Sequence, residues 1–384
     1  MMQTSDLWIW QQSAWPQFSW QQDKLSPALA RARLAQGKIL GATRLLDTHL
    51  THEAIASILV EDGLTTSAIE GEQLNLDAVR SSVARHLGLP TVGLPTPARA
   101  VDGLIEVLLD ATQHYSAPLT IERLLGWQAA LFPNGYSVLH PVRSGVLRGD
   151  APMQVVSGRI GHERVHFIAP PRLGLELELA RFLTWFNAEA KSDGLIRAGL
   201  AHLWFVTLHP FEDGNGRLAR AITDMALAQD EGQSMRFFSL SAQILREREN
   251  YYVYLERTQR GNLDVTEWLV WFLTQIEAAA TAAQHSITNT LAKARFWLHH
   301  QASSLNQRQH KVLNRLLDAG SGFEGGINTR KYMSLTKTSR ATAYRELNEL
   351  VAKGCLTSTG KGGRSTSYEI IYPCDYNPHH SNDL

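Results

Sequence analysis

The feature that most restricts the fold is a pair of apolar helical patterns separated by one short break. Leu195 to Leu208, LIRAGLAHLWFVTL, carries apolar side chains on nearly every face, a pattern stable only when other elements enclose the helix. After HPFEDGNG, Arg217 to Gln229 resumes helical spacing as RLARAITDMALAQ. The centre of the chain must therefore be helical and enclosed. Between Val101 and about Ala283 the pattern is helical with one interruption, Met153 to Ile168. There, two β-branched runs flank Ser157-Gly158 and Gly161, predicting a hairpin closed by Pro170 and Pro171. The fold class is mainly α, with strands confined to this flap and to a wing near the C-terminus.

At 384 residues, 44% of them apolar, the chain exceeds a single typical core, and two or three domains are expected. The three prolines in Gly88 to Ala100 mark one boundary, giving a helical region over 1–100 and a central domain over 101–285. Trp8, Trp10, Trp15 and Trp20 are expected to pack inside the first region, beside a helical stripe through Leu34, Ile39, Leu40, Leu45 and Leu46. Beyond Trp268 an alanine-rich helix leads as a connector into a third region, 286–384.

Cys355 and Cys374 are too few for a disulfide framework or a zinc cage. The opening MMQTSDLWIW lacks a basic n-region and a cleavage site, and no uncharged apolar run reaches bilayer length. A soluble, cytoplasmic protein without membrane contact is expected. Net charge is zero, yet residues 305–371 hold eleven Lys/Arg against five Asp/Glu, so an acidic body carries a basic tail. In that tail three helical segments precede a glycine-rich tip at Gly360 to Arg364. In the third segment, Ser339 to Lys353, Tyr344, Leu347, Leu350 and Val351 form the expected inward stripe, with Arg340, Arg345 and Asn348 on other faces. The arrangement resembles a winged helix-turn-helix domain, whose partner is DNA or, in the alternative, another protein.

The break itself carries the chemistry. His209 ends the enclosed helix, and Phe211 anchors the loop to the core. Gly214 and Gly216 are free to take positive φ, so successive amides can converge on an anion at a helix N-terminus, with Arg217 and Arg220 as guanidinium forks. Asp213 beside such a polyphosphate site is suited to Mg²⁺. A Walker loop would need Lys-Ser/Thr where Arg217-Leu218 stands. Gly214, Gly216 and Ala219 match the loose dinucleotide pattern, but a helix precedes them where that motif requires a strand. An EF-hand would need further Asp or Asn and a later Glu.

His209 to Arg220, HPFEDGNGRLAR, resembles the Fic family pattern H-P-F-x-[D/N]-G-N-G-R-x-x-R at every specified position. The resemblance implies transfer of AMP from ATP, with Mg²⁺, onto a Ser, Thr or Tyr hydroxyl of a protein substrate. It makes His209 the general base, Asp213 the metal ligand, and Gly214, Asn215 and Gly216 the cradle for the α and β phosphates. Arg217 and Arg220 would grip the outer phosphates. The flap, with Val156, Ser157 and Gly158, resembles the hairpin that clamps the target and lines the nucleotide. Tyr251, Tyr252 and Gln259 resemble the segment closing over adenosine, core packing being the alternative for the tyrosines. Family members often self-associate, so a homodimer is a further implication.

Thr66 to Gly71, TSAIEG, fits the family's inhibitory pattern [S/T]-x-x-x-E-[G/N]. Glu70 then falls in the last turn of a helix, where the dipole disfavours an anion, with Gly71 as the C′ residue. A pairing of Glu70 with Arg220 would resolve that conflict and block the γ-phosphate. Two alternatives stand beside an autoinhibited transferase: removal of AMP by the same site, and a DNA-binding regulator that uses the nucleotide site as a sensor.

Overall fold

The computed structural model describes residues 7–44, 46–137, 140–157, 164–188, 192–319, 326–359 and 366–372. Leu45, Gly158, Gly161, Cys374 and the tip from Gly360 to Arg364 lie outside them. In chain order the helices before the flap are α1 (Gln22–Thr43), α2 (Thr48–Ile69), α3 (Leu76–His86), α4 (Arg99–Gln113) and α5 (Ile121–Leu131). Strands β1 (Tyr136–Ser137), β2 (His140–Pro141), β3 (Gln154–Ser157) and β4 (Arg164–Ile168) follow. Then come α6 (Leu175–Asn187), α7 (Gly194–Leu208), α8 (Asn215–Glu231), α9 (Leu240–Arg246), α10 (Arg248–Gln259) and α11 (Thr266–His299). The chain continues with α12 (Gln307–Ala319), α13 (Thr329–Thr336), α14 (Arg340–Ala352), β5 (Leu356–Ser358) and β6 (Tyr368–Ile370). It divides into two compact units, 1–283 and 284–384. Among the described residues no helix is long and apolar enough to cross a membrane.

In the first unit α7 is the central rod: every residue from Leu195 to Leu208 is buried. It packs along α8, which is buried from Arg217 to Ala228. Gly199 lets α11 approach closely, since a Cβ there would stand 2.9 Å from Phe272 Cδ1. The Trp268 indole donates to the carbonyl exposed by that approach, Gly199 O, at 2.8 Å. Helix α2 packs on α9, α3, α4 and α8, so residues on both sides of the proline-rich 88–100 segment belong to one unit. Strands β3 and β4 pair antiparallel as the flap, Gln154 opposite Ile168.

Two expected stripes hold only in part: Ile39, Leu347 and Leu350 are buried, other members are not. In α1 the buried positions are Leu25, Ala28, Ala32, Ala35 and Ile39, and Leu34 is 61% exposed. Small alanines, spaced three and four apart, take the inner face, leaving the bulkier leucine outside. Residues 7–20 form no long helix; Trp8, Trp10 and Trp15 strap the flap and α6. Trp8 meets Phe167 edge-on at 5.3 Å, Trp10 donates to Ile168 O at 2.8 Å, and the buried Trp15 donates to Glu178 Oε2 at 2.9 Å.

In the second unit α12, α13 and α14 enclose Val312, Leu313, Tyr332, Leu347 and Leu350, with β5 and β6 paired antiparallel and Ile327 bridging Tyr368. Tyr344 faces outward, 58% exposed, and Val351 is also exposed, contrary to the sequence expectation. Ala343 and Glu346 take the inner positions. Glu346 is tolerated inside because Arg308 (2.5 Å), Asn306 (3.0 Å) and the Tyr332 hydroxyl (2.7 Å) all donate to its carboxylate.

Candidate active site

His209 is the C-cap of α7 and sits in the left-handed region, φ 49° and ψ 56°, a conformation that few non-glycine residues adopt. Arg148, itself 2% exposed, holds it there: its Nε donates to His209 O at 2.8 Å and its backbone N–H to Pro210 O at 3.0 Å. The imidazole Nδ1 lies 3.2 Å from Val206 O. A carbonyl only accepts, so the ring proton belongs on Nδ1 and the Nε2 lone pair is left for chemistry. Burial pushes the imidazole below its ordinary value, and the Arg148 charge adds to this against opposition from the Val206 bond, Glu70 and Asp213. At neutral pH the ring is a neutral base.

Past His209 the loop is stapled. Asn215 Oδ1 accepts from Phe211 N–H at 3.0 Å, and its Nδ2 donates to Phe211 O at 2.8 Å. The Asn215 side chain therefore shapes the turn, and only its backbone remains for a cradle. Gly214, at φ 88°, is the N-cap of α8. Any side chain there would strike the Phe132 ring at 3.0 Å. The Asp213 carboxylate is 38% exposed, with Oδ1 accepting from Gly214 N–H and lying 3.5 Å from Arg217 Nη2. The first turn of α8 thus presents amide donors and positive partial charge toward whatever lies over Gly216.

What lies there is Glu70. A Cβ built on Gly216 would fall 2.1 Å from Glu70 Oε1, so only glycine lets the carboxylate rest on this turn. Helix α2 ends at Ile69, with Glu70 as C-cap and Gly71 at φ 86°. The amides of Gly71 and Glu72 donate to Ala68 O and Ser67 O, each at 3.0 Å, which is the Schellman pattern. Arg220 Nη2 reaches Glu70 Oε1 at 2.8 Å and Thr66 O at 2.9 Å, while its Nε donates to Thr66 Oγ1 at 2.7 Å. Arg248 and the Tyr252 hydroxyl donate to Ile69 O, completing the cap. Burial opposes the Arg220 charge, yet Glu70, with Tyr251 and Tyr252, raises its proton affinity above the ordinary arginine value. Of the guanidinium nitrogens of Arg217 and Arg220, Nη1 of Arg220 and Nε of Arg217 are buried with no hydrogen-bond partner among the described residues.

Glu70, His209 and Gly216 line one cavity of about 600 Å³ together with Val156, Ser157 and Gln259. Tyr251 and Tyr252 form part of its wall. Tyr251 is 2% exposed and its hydroxyl lies 2.9 Å from His202 Nε2, so it also serves the core, whereas Tyr252 is 38% exposed. Gln259 is fixed by a 3.2 Å bond to Thr207 Oγ1. Asp213, Gly214, Asn215, Arg217, Arg220, Thr66 and Gly71 are not among the residues lining it.

Residues 118–227, which include the flap and the His209 loop, match the profile described as "Fic/DOC family". The chain carries a Fic/DOC family domain. Residues 8–89, ahead of this Fic domain and including α2, match a domain of unknown function (DUF4172). The chain is 28% identical over 169 residues to "Protein adenylyltransferase fic-1" of Caenorhabditis briggsae, covering 42% of this chain and 30% of that protein. It is 32% identical over 119 residues to "Uridine 5'-monophosphate transferase" of Xanthomonas campestris pv. campestris (strain 8004), covering 29% of this chain and 21% of the relative. The matched stretch thus spans less than a third of either relative. A Fic family protein from Desulfovibrio desulfuricans G20 superposes with a TM-score of 0.51 at 18% identity, covering 90% of this chain and 96% of that one, a likeness of fold.

Four residues around the Fic site escape sequence reasoning: Arg148, Arg248, His166 and Glu256. Arg148 buttresses the His209 loop from 61 positions away. Arg248 caps α2 across 179 positions. On the flap, Ser157 Oγ lies 2.5 Å from His166 Nε2, and His166 Nδ1 lies 2.7 Å from Glu256 Oε2 on α10. Burial pushes the Glu256 carboxyl up, but the bonds from His166 and Arg164 hold it below the ordinary range. No local motif announces these contacts: except for Ser157 with His166, which pair across the flap, each joins segments 61 to 179 positions apart.

Proposed function

We propose that this protein transfers AMP from ATP to a Ser, Thr or Tyr hydroxyl of a protein substrate, and that Glu70 holds the activity in check. The observation carrying the proposal is the Glu70 carboxylate seated on the Gly216 turn and bonded to Arg220 at 2.8 Å, in the same cavity as the His209 ring. A carboxylate is a small stand-in for a phosphate: both accept from helix N-terminal amides and from guanidinium. The unpartnered Arg220 Nη1 and Arg217 Nε are donors that a larger, more highly charged anion would satisfy.

In this reading the phosphates lie along the first turn of α8, the outermost of them taking Arg220 once Glu70 withdraws. The target hydroxyl enters under the flap. His209 Nε2 accepts its proton as the oxygen attacks the α-phosphorus, an O–P bond forms, and the bond to the bridging oxygen breaks to release pyrophosphate. Burial of His209 keeps the accepting ring neutral. Among the described residues no three His, Cys, Asp or Glu gather as a metal cage. A single partly exposed carboxylate with phosphate oxygens is ordinary provision for Mg²⁺, so Asp213 fits a cation arriving with the nucleotide. Such a cation would neutralise phosphate charge.

The test is intact-protein mass spectrometry after incubating the Glu70→Gly protein with Mg²⁺, lysate and either ATP or UTP. Gain of one adenylyl group on a polypeptide, absent with His209→Ala, supports the reading. A uridylyl gain alone, or no gain with either nucleotide, rejects it.

A further inference from the structure

The nucleotide chemistry leaves the second unit without a task. Residues 284–384 hold thirteen Lys/Arg against seven Asp/Glu, so the rest of the chain, with 24 against 30, is acidic. Its helix α13 is followed by a three-residue turn, Lys337 to Ser339, and then by α14, whose N-cap Ser339 accepts from Thr342 N–H. The Lys337 backbone, at φ 51°, turns the chain sharply between the two helices. Positions Arg340, Tyr344, Arg345 and Asn348 of α14 are all exposed. At 3.6 residues per turn they span an arc of about 140°. The opposite arc, Ala343, Glu346, Leu347 and Leu350, is buried.

We propose that this exposed face of α14 binds double-stranded DNA, entering the major groove. Four properties favour that occupant. The face carries two guanidinium groups, an amide and an aromatic hydroxyl and no unpaired carboxylate: Glu346 is turned inward onto Arg308 and Tyr332, and Glu349 pairs with Arg345 at 3.6 Å. That exposed pair is weak enough to yield to a phosphate. The helix is held rigidly, because the Glu346 network ties α14 to α12 and α13 together. A helix about 10–12 Å across suits a groove about 12 Å wide, and Arg and Asn are the side chains that read guanine and adenine edges there. Arg330 and Lys337, both exposed just before α14, add charge for the flanking phosphates. A protein partner would be favoured by an apolar face, and Val351 supplies only the edge of one.

The test uses the full-length protein and a fluorescein-labelled 30-base-pair duplex of mixed sequence, with anisotropy read between 50 and 200 mM KCl. If the four cations each displace about one counterion, the slope of log K against log salt is about −3.6, and affinity falls about 150-fold over that range. R340A/R345A should bring the slope to about −1.8 and the loss to about 12-fold, whereas R340K/R345K should keep the wild-type slope. Because these side chains are exposed, thermal unfolding of all variants should match wild type. No binding at 50 mM KCl overturns the proposal, as does a slope unchanged in folded R340A/R345A. Neither outcome bears on AMP transfer.

Discussion

Replacing Glu70 by Gly should activate the protein, and the contacts indicate by how much. The substitution removes one charge-assisted bond, Arg220 Nη2 to Glu70 Oε1 at 2.8 Å, and clears the carboxylate from the Gly216 turn. Such a bond contributes about 1.5–3 kcal/mol. At about 1.4 kcal/mol per tenfold, ATP affinity should rise about 10- to 100-fold. Because the Glu70 side chain is 33% exposed, the lower end of that range is expected. Arg220 keeps its two bonds to Thr66, so the loss to the fold should stay within the roughly 1.5–3 kcal/mol of the one bond removed. Glu70→Ala, which adds no second glycine beside Gly71, should behave alike. Arg220→Ala breaks the same contact but removes the phosphate grip, and should fall below wild type. The assay is incorporation of label from α-³²P-ATP at subsaturating nucleotide, alongside calorimetric titration with ATP. A folded Glu70→Gly protein with wild-type affinity and incorporation would refute competition for Arg220.

Gly216→Ala should abolish ATP binding, because its methyl group would occupy space 2.1 Å from Glu70 Oε1 and 3.3 Å from Arg220 Nη1; calorimetry with and without Glu70→Gly checks this. Arg148→Ala should lower kcat more than KM, since it releases the strained His209 backbone, and single-turnover rates report it. Burial, with the Arg220 charge, takes His202 down to about 3. Below the unfolded value near 6.5 the unfolded chain binds this proton and the native one does not, so stability falls with pH between about 6.5 and 3. From pH 7.5 to 5.5 the loss should be about 1.4 kcal/mol in urea titrations. The buried Asp62 and Asp224 carboxyls are pushed up, Asp224 to about 6, and slope the opposite way. The quantity to read is therefore wild type minus His202→Gln, whose slope should lack the histidine contribution. Incorporation by Glu70→Gly should stay level as pH falls through 6.5, because His209 titrates below the ordinary imidazole value; a half-loss at 6.5 would contradict its burial.

What the sequence made legible was local. The turn from His209 to Arg220 and the helix end at Glu70-Gly71 are written in consecutive residues whose backbone demands are specific, a left-handed glycine above all. Helix faces were less secure. Leu34 and Tyr344 point outward because alanines at α1 and a satisfied carboxylate at α14 win the inner positions, and hydrophobicity alone cannot rank those choices. The Asn215 side chain staples the turn through both its bonds to Phe211, a role that the cradle pattern does not announce. Arg148, Arg248 and the Ser157, His166 and Glu256 chain depend on contacts across 9 to 179 positions, most of them far beyond any motif window.

The central claim is that ATP and the Glu70 carboxylate compete for one place on the turn after His209. A crystal structure of the Glu70→Gly protein with Mg²⁺ and a non-hydrolysable ATP analogue tests it most directly. The expected density has the outermost phosphate on Arg220, where the carboxylate had been, with the α-phosphorus facing His209 Nε2. A nucleotide bound elsewhere, or an empty cavity at saturating analogue, would contradict the account.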